Sequence, residues 1–284
     1  MRRRFSLAYL TVPGVTPPEQ TYIAARAGYD FVSFRLAHLG VADEPEFEPL
    51  NPAVLRRTQD ALRETGLSGL DGELARIVPE RAARDYLPAM EAAAMLGARH
   101  MIASAWTKGK DDRDFVVARY AEICDLARPY GLTVDLEFPT FSRLGSLAEA
   151  RDVVEAAGKP NAGILVDALY FHFSRCGQDE LLALPRHWVN FIHLCDAGPE
   201  VPQDRDAMKR IAREGRLYVG EGAIDLPTLA ACLPEVPFSV ELPNARRTAE
   251  LGHVAHARRC LDTARAYFDG FARASAPRRA GSAA

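Results

Sequence analysis

The chain has 284 residues, 48% hydrophobic and 26% charged, the composition of a globular protein with room for one large domain or two modest ones. A formal net charge of −3 gives no overall positive field to gather nucleic acid or an anionic membrane. No stretch approaches the ~18 apolar residues of a membrane span. The five cysteines (Cys124, Cys176, Cys195, Cys232 and Cys260) are odd in number, scattered and without a C-x-x-C pair. That pattern speaks for reduced thiols in a cytoplasmic protein and against a disulfide framework or a structural zinc site.

The N-terminus, MRRRFSLAYLTVPGV, superficially looks like a twin-arginine signal, but its apolar run is short, Pro13 interrupts it and no small-residue cleavage site follows. It reads as a basic stub leading into a first strand. Short β-rich apolar runs then recur at 5–9, 31–35, 67–73, 100–105, 133–138, 164–168, 189–195 and 238–242. Between them, segments such as 52–65, 82–96, 113–129 and 147–157 carry apolar residues at three- and four-residue intervals, the spacing of amphipathic helices. Several of these close on a Gly that leads into the next strand, as in AGYDFV, TGLSGL, LGARHM and YGLTVD. Residues 198–225 read as an elaborated loop with a helix of its own.

Strand alternating with helix implies parallel pairing, and eight such units predict a single closed (β/α)8 barrel over residues 1–270. The alternative, a doubly wound open sheet, lacks the Gly-rich phosphate turn after its first strand, where the sequence is VPGVT. The end of the chain, FARASAPRRAGSAA, has no apolar periodicity, so residues 271–284 are expected to be a loose tail.

In such a barrel the functional groups gather at the C-terminal ends of the strands. The last four strands end TVDLEF, ILVDAL, NFIHLCD and FSVELP, bringing Glu137, Asp167, His193 and Glu241 toward one place. Asp167 stands inside an apolar run, where an unpaired carboxylate costs several kcal/mol. A capping role, a buried Arg or a metal ion would each compensate it. A lone Asp or Glu at a strand end is commonly a cap or an ion-pair partner, and a lone His is commonly structural. Four such residues on consecutive strands are hard to explain independently. Three carboxylates converging on one buried spot need a cation, and three carboxylates with one imidazole suit a divalent ion such as Mn²⁺ or Mg²⁺, with Co²⁺ or Zn²⁺ as further candidates.

With these residues the chain resembles the xylose-isomerase-like TIM-barrel superfamily, the sugar phosphate isomerases and epimerases. The segment GRLYVGEGAID, residues 215–225, resembles that family's Arg…Gly-x-Gly-x-Ile-Asp stretch. The resemblance implies that Glu137, Asp167, His193 and Glu241 hold one divalent ion, that Arg216 reaches the substrate, and that Gly220 and Gly222 shape the loop. It also implies that Glu137 and Glu241 are the acid and base, moving a proton next to a carbonyl through a metal-stabilised enediolate. Two departures stand out. Tyr170 occupies the position three after Asp167 where many members carry His, with His172 two residues further, and Arg143 stands where ketose epimerases often carry an acid. Tyr170 is expected on the far face of its strand unless the chain bends there.

Barrel topology adds Arg35, His38, Glu73, Trp106 and Lys108 as candidate substrate contacts. For each Arg or Lys other than Arg216, a solvated surface position is the simpler expectation. Cys195, beside His193, is expected to be a small filler. The substrate implied is a ketose, a keto-sugar acid or an inosose, handled by isomerisation or epimerisation. Alternatives are a dehydratase or lyase acting on a cyclic ketone of the 3-dehydroshikimate or keto-inositol type, and a barrel that only binds sugar or serves as a subunit. No nucleic-acid or membrane partner is expected, and related barrels often form homo-oligomers.

Overall fold

The computed structural model describes residues 3–39, 47–109 and 112–275. Among these residues the strands are β1 (Phe5–Leu7), β2 (Phe31–Arg35), β3 (Ser68–Ile77), β4 (His100–Ala105), β5 (Thr133–Glu137), β6 (Ala162–Asp167), β7 (Ile192–Leu194) and β8 (Phe238–Val240). They pair in chain order, all parallel, and β8 closes on β1 to complete the barrel. The helices are α1 (Pro17–Ala27), α2 (Pro52–Thr65), α3 (Leu87–Met95), α4 (Arg113–Ala127), α5 (Leu147–Ala157), α6 (Ala168–Phe173), α7 (Gln178–Leu182), α8 (Arg205–Glu214), α9 (Leu226–Cys232), α10 (Ala245–Leu251) and α11 (His253–Ser275). The barrel expected from the strand–helix alternation is the observed fold, and α8 is the helix anticipated within 198–225.

Local sequence accounts for the element ends. Gly28, Gly66, Gly97 and Gly131, the glycines read as helix stops, all take positive φ, between 71° and 94°. Asn51, Ser146, Asp204 and Asn244 each accept a backbone N–H at a helix start. β1, β7 and β8 are shorter than expected, β6 starts earlier, and further differences lie in β3, α3 and α11. β3 runs on to Ile77. The stretch 82–96 opens as a 3₁₀ turn, Ala83–Tyr86, before α3 begins. α11 continues to Ser275, into the stretch read as a tail, and residues 276–284 lie outside the described part.

The period-two alternation of the strands separates two environments. Val134 and Leu136 of β5, and Phe238 and Val240 of β8, join the large apolar core beneath the helices. The inward residues of the same strands carry the polar groups. A small apolar cluster of Leu70, Leu74, Ile102, Leu165 and Phe191 fills part of the barrel. Beside it Ser6 and Ser33 share a hydrogen bond of 2.8 Å, and the Ser33 hydroxyl donates to the buried Asp71 carboxylate. Burial pushes Asp71 up to about 7.

Candidate metal centre

Glu137 ends β5, Asp167 ends β6, His193 lies in β7 and Glu241 follows β8, all four buried. Among the described residues their ligand atoms, one per residue, all lie within 4.8 Å of one another. Two ligands on opposite sides of an ion bound at ~2.1 Å are about 4.2 Å apart, so contraction by roughly half an ångström brings the set to coordination distance. His193 Nδ1 is the hub, 3.3 Å from Glu137 Oε1, 3.4 Å from Glu241 Oε2 and 3.8 Å from Asp167 Oδ2. Glu137 Oε1 and His193 Nδ1 are buried with no hydrogen-bond partner. Two orphaned donor atoms facing one another at the centre of a carboxylate set fit a bound cation.

Asp167 answers its burial in more ways than one. Its Oδ1 accepts the Leu169 N–H at 2.7 Å, capping α6. Its Oδ2 receives Arg216 at 2.8 Å, so the cap and the buried Arg coexist with a place in the cluster. Arg216 was expected to reach for substrate. It lines the cavity, is 1% exposed and also bridges the cluster, with NH2 2.7 Å from Glu241 Oε2 and NH1 donating to the Glu241 carbonyl at 3.1 Å. Its Nε donates to the Ala212 carbonyl at 3.0 Å, near the C-terminal end of α8.

The electrostatics follow from this arrangement. Burial pushes the Glu137 carboxyl up to about 7, partly opposed by His193. Asp167 is also raised by burial, against the pull of Arg216. Burial acts on Glu241 in the same direction, yet His193 and the Arg216 guanidinium hold it well below the usual carboxylate range. Burial would lower His193, but Glu241 and Glu137 lift it well above its ordinary value. Three carboxylates against one guanidinium leave two negative charges, the complement of one divalent ion.

The centre forms one wall of a cavity of about 650 Å³, within the range of small-molecule sites. Of the predicted contacts, Arg35, Glu73, Trp106, Tyr170 and Arg216 line it. Tyr170 arrives because the chain bends: α6 begins immediately after Asp167, and helical spacing turns a residue three positions on toward the cavity. Its ring packs edge-on to Phe141 at 5.8 Å, and Phe141 lies 5.9 Å from Trp106, making an aromatic wall. Arg35 and Glu73 form a buried ion pair at 3.1 Å, with the Arg35 guanidinium over the Tyr9 ring.

Three candidates fall elsewhere. Lys108 lines a separate cleft with Arg76, Arg81 and Asp112, beyond Trp106. His38 sits 3.5 Å from Glu48 and is absent from the described cavity lining. His172, two positions beyond Tyr170 on α6, lines another cleft with Arg175, Cys176 and Asp225. Arg143, the departure from the family pattern, pairs with Asp112 at 2.7 Å and also lies outside the cavity lining. Cys195 is buried against Arg216, and burial pushes its thiol up, so it fills space. Sequence reading missed Tyr9, Phe47 and Phe141, which carry no polar signal at a strand end, and Asp196, whose signal was its place three residues after His193.

Fold and centre together define a (β/α)8 barrel with a carboxylate–imidazole cluster at its C-terminal mouth. The chain belongs to the xylose isomerase-like TIM barrel family, whose model matches residues 22–264. Among curated proteins it is similar to an inosose isomerase of Bacillus velezensis, 31% identical over 127 residues, 43% of this chain and 43% of that protein. The chain thus matches less than half the length of that relative. Among solved structures it resembles the IOLI protein with a bound zinc atom, at a TM-score of 0.75 and 19% identity over 92% of this chain and 96% of that one. It also resembles 3-keto-D-glucoside 4-epimerase from E. coli, at a TM-score of 0.69 and 17% identity over 93% of this chain and all of that one. At these identities the structural likenesses speak for the fold. No described helix is long and apolar enough to cross a membrane.

Proposed function

We propose that this chain is a divalent-metal-dependent isomerase or epimerase of an uncharged keto-polyol, of the inosose or free-ketose kind, working by proton transfer next to a carbonyl. The observation that carries the reading is the convergence of Glu137, Asp167, His193 and Glu241 within 4.8 Å, with Glu137, His193 and Glu241 lining the cavity. The name of the Bacillus velezensis relative and the zinc in the IOLI structure support it. These four residues would hold one divalent ion, Mn²⁺, Mg²⁺, Zn²⁺ or Co²⁺, which would supply Lewis-acid stabilisation of charge at a substrate carbonyl.

The chain's own residues divide the remaining work. Among the described residues no arginine pairs with Glu137, and burial pushes its carboxyl up to about 7, which suits it to take and return the proton. Glu241 is kept anionic by Arg216, which suits it to holding the cation and the second face of the substrate. Trp106, Phe141 and Tyr170 cover the apolar face of a ring and exclude water. Arg35 and Glu73 present polar groups to substrate hydroxyls.

Charge balance narrows the substrate. Arg35 faces Glu73, Arg216 faces Asp167 and Glu241, and the remaining arginine of the lining, Arg213, shares it with Glu137 and Glu214. The described lining therefore offers no surplus cation for a phosphate or a sugar carboxylate, and a neutral substrate fits better.

The test is incubation of metal-loaded protein with inososes and free ketoses in D₂O, read by NMR and ultraviolet absorbance. Deuterium next to the carbonyl without a conjugated-enone band supports the proposal. An enone band assigns a dehydratase instead. No incorporation, together with no retained metal and no thermal shift on adding ions, leaves a sugar-binding barrel.

A further inference from the structure

Three residues beyond His193, Asp196 is 2% exposed, and among the described residues no ion pair to its carboxylate is seen. It is compensated by four backbone N–H groups. Oδ1 accepts from Ala197 at 2.9 Å and Ile224 at 3.1 Å, and Oδ2 accepts from Gly220 and Gly222, both at 3.0 Å. The backbone of Asp196 also forms a two-way bridge with Leu217: its N–H donates to the Leu217 carbonyl at 3.0 Å, and the Leu217 N–H donates back at 2.8 Å. Arg216 is the residue before Leu217, and its own carbonyl accepts from Asn244 Nδ2 at 2.9 Å. The loop 217–225 is closed so tightly on Asp196 that a Cβ on Gly222 would collide with the Ala197 carbonyl and with the Asp196 carboxylate itself.

We infer that Asp196 is a positioning residue that acts through Arg216: by gathering the loop onto its carboxylate, it sets the backbone from which the guanidinium bridges Asp167 and Glu241. The physical basis is that a long side chain holds two carboxylates in register only if its own backbone is immobile, and ordering that backbone loses entropy that four charge-assisted hydrogen bonds offset. The inference rests on the metal-centre reading for its consequence and on the loop geometry for its existence.

The experiment is a double-mutant cycle of Asp196→Asn and Arg216→Met on the full chain, with two readouts. An amide in place of the carboxylate turns a donor toward the N–H groups of Gly220 and Gly222, which loosens the loop. The first readout is Tm without metal, and the second is the dissociation constant for Zn²⁺ by chelator competition. The expected result is a drop in Tm and about tenfold weaker Zn²⁺ binding for Asp196→Asn, both largely lost when Arg216 is already Met. Equal effects of Asp196→Asn in the two backgrounds overturn the inference and leave Asp196 a purely structural anchor. If the parent chain does not bind Zn²⁺, the metal reading fails, and the Tm cycle alone decides the positioning role. Should Asp196→Asn not fold, Gly222→Ala disturbs the same carboxylate from the loop side and enters the same cycle.

Discussion

Around the mouth of the barrel, β5 to β8 each contribute one member of the cluster on or next to the strand, whereas β1 to β4 contribute the Arg35–Glu73 pair, the apolar Leu74 and Ile102, and residues from turns and loops, Tyr9, Leu39 and Trp106 among them. On the first side, position is set by strand register and the alternation of inward residues, so four groups meet within 4.8 Å. On the second, register fixes Arg35 and Glu73, but Tyr9, Leu39 and Trp106 are placed by how a turn or loop leaves the strand. The side that holds the cluster is therefore fixed by strand register, and the loops facing it are where substrate choice can vary without disturbing the centre.

The sharpest test of this division is removal of the group proposed to move the proton. Glu137→Gln is expected to lower kcat by about 10²–10⁴-fold, with substrate affinity little changed. Its counterpart, Asp167→Asn, is expected to weaken metal retention by at least about tenfold, read by metal analysis after dialysis. Wild-type turnover or wild-type metal content, respectively, would remove that residue from its assigned role.

Across the cavity the expected effect is smaller and of another kind. Replacing Arg35 and Glu73 together by Met and Leu avoids leaving either charge buried alone. It should raise KM about tenfold and change kcat less than threefold. A kcat loss matching that of Glu137→Gln would mean that the two sides are one machine and that the contrast is false.

Beneath both sides lies Asp71, whose carboxyl is pushed up to about 7 by burial. A carboxyl raised on folding keeps a proton that the unfolded chain has already released, so it contributes stability at low pH that is lost as pH rises from about 4 toward 7. Asp71→Asn removes that dependence. Relative to the parent, the variant should gain stability progressively over that window, by at most about 4 kcal/mol, and level off above it, read as a rising Tm difference. A Tm difference that stays flat with pH would show that burial does not govern this group.

The smallest effect is expected where loops carry candidates out of the cavity. Lys108→Ala and His172→Ala should each leave kcat/KM within about twofold of the parent, because both side chains line other clefts. A tenfold loss for either would extend the functional surface past Trp106 or across α6.

Much of this was legible in the residues themselves. Strand and helix periodicities, with Gly28, Gly66, Gly97 and Gly131 closing helices, were enough for the parallel closed barrel. The period of two put Glu137 inward beside Asp135 and Thr133, and likewise Glu241 beside Ser239, so the four candidate ligands could be named in advance. Local pattern is sufficient there because a strand leaves its side chains only two directions, and the barrel makes one of them the interior.

Folding in three dimensions decided the rest. That Arg216 closes on Asp167, 49 residues earlier, and on Glu241, 25 residues later, depends on a loop packed against Asp196, and no periodicity encodes a contact between separate segments. That Tyr170 enters the cavity while His172 leaves it depends on a helix starting at Ala168, where Asp167 supplies the cap. A side chain's direction is local while the backbone is regular. Where the backbone turns, the surroundings choose it.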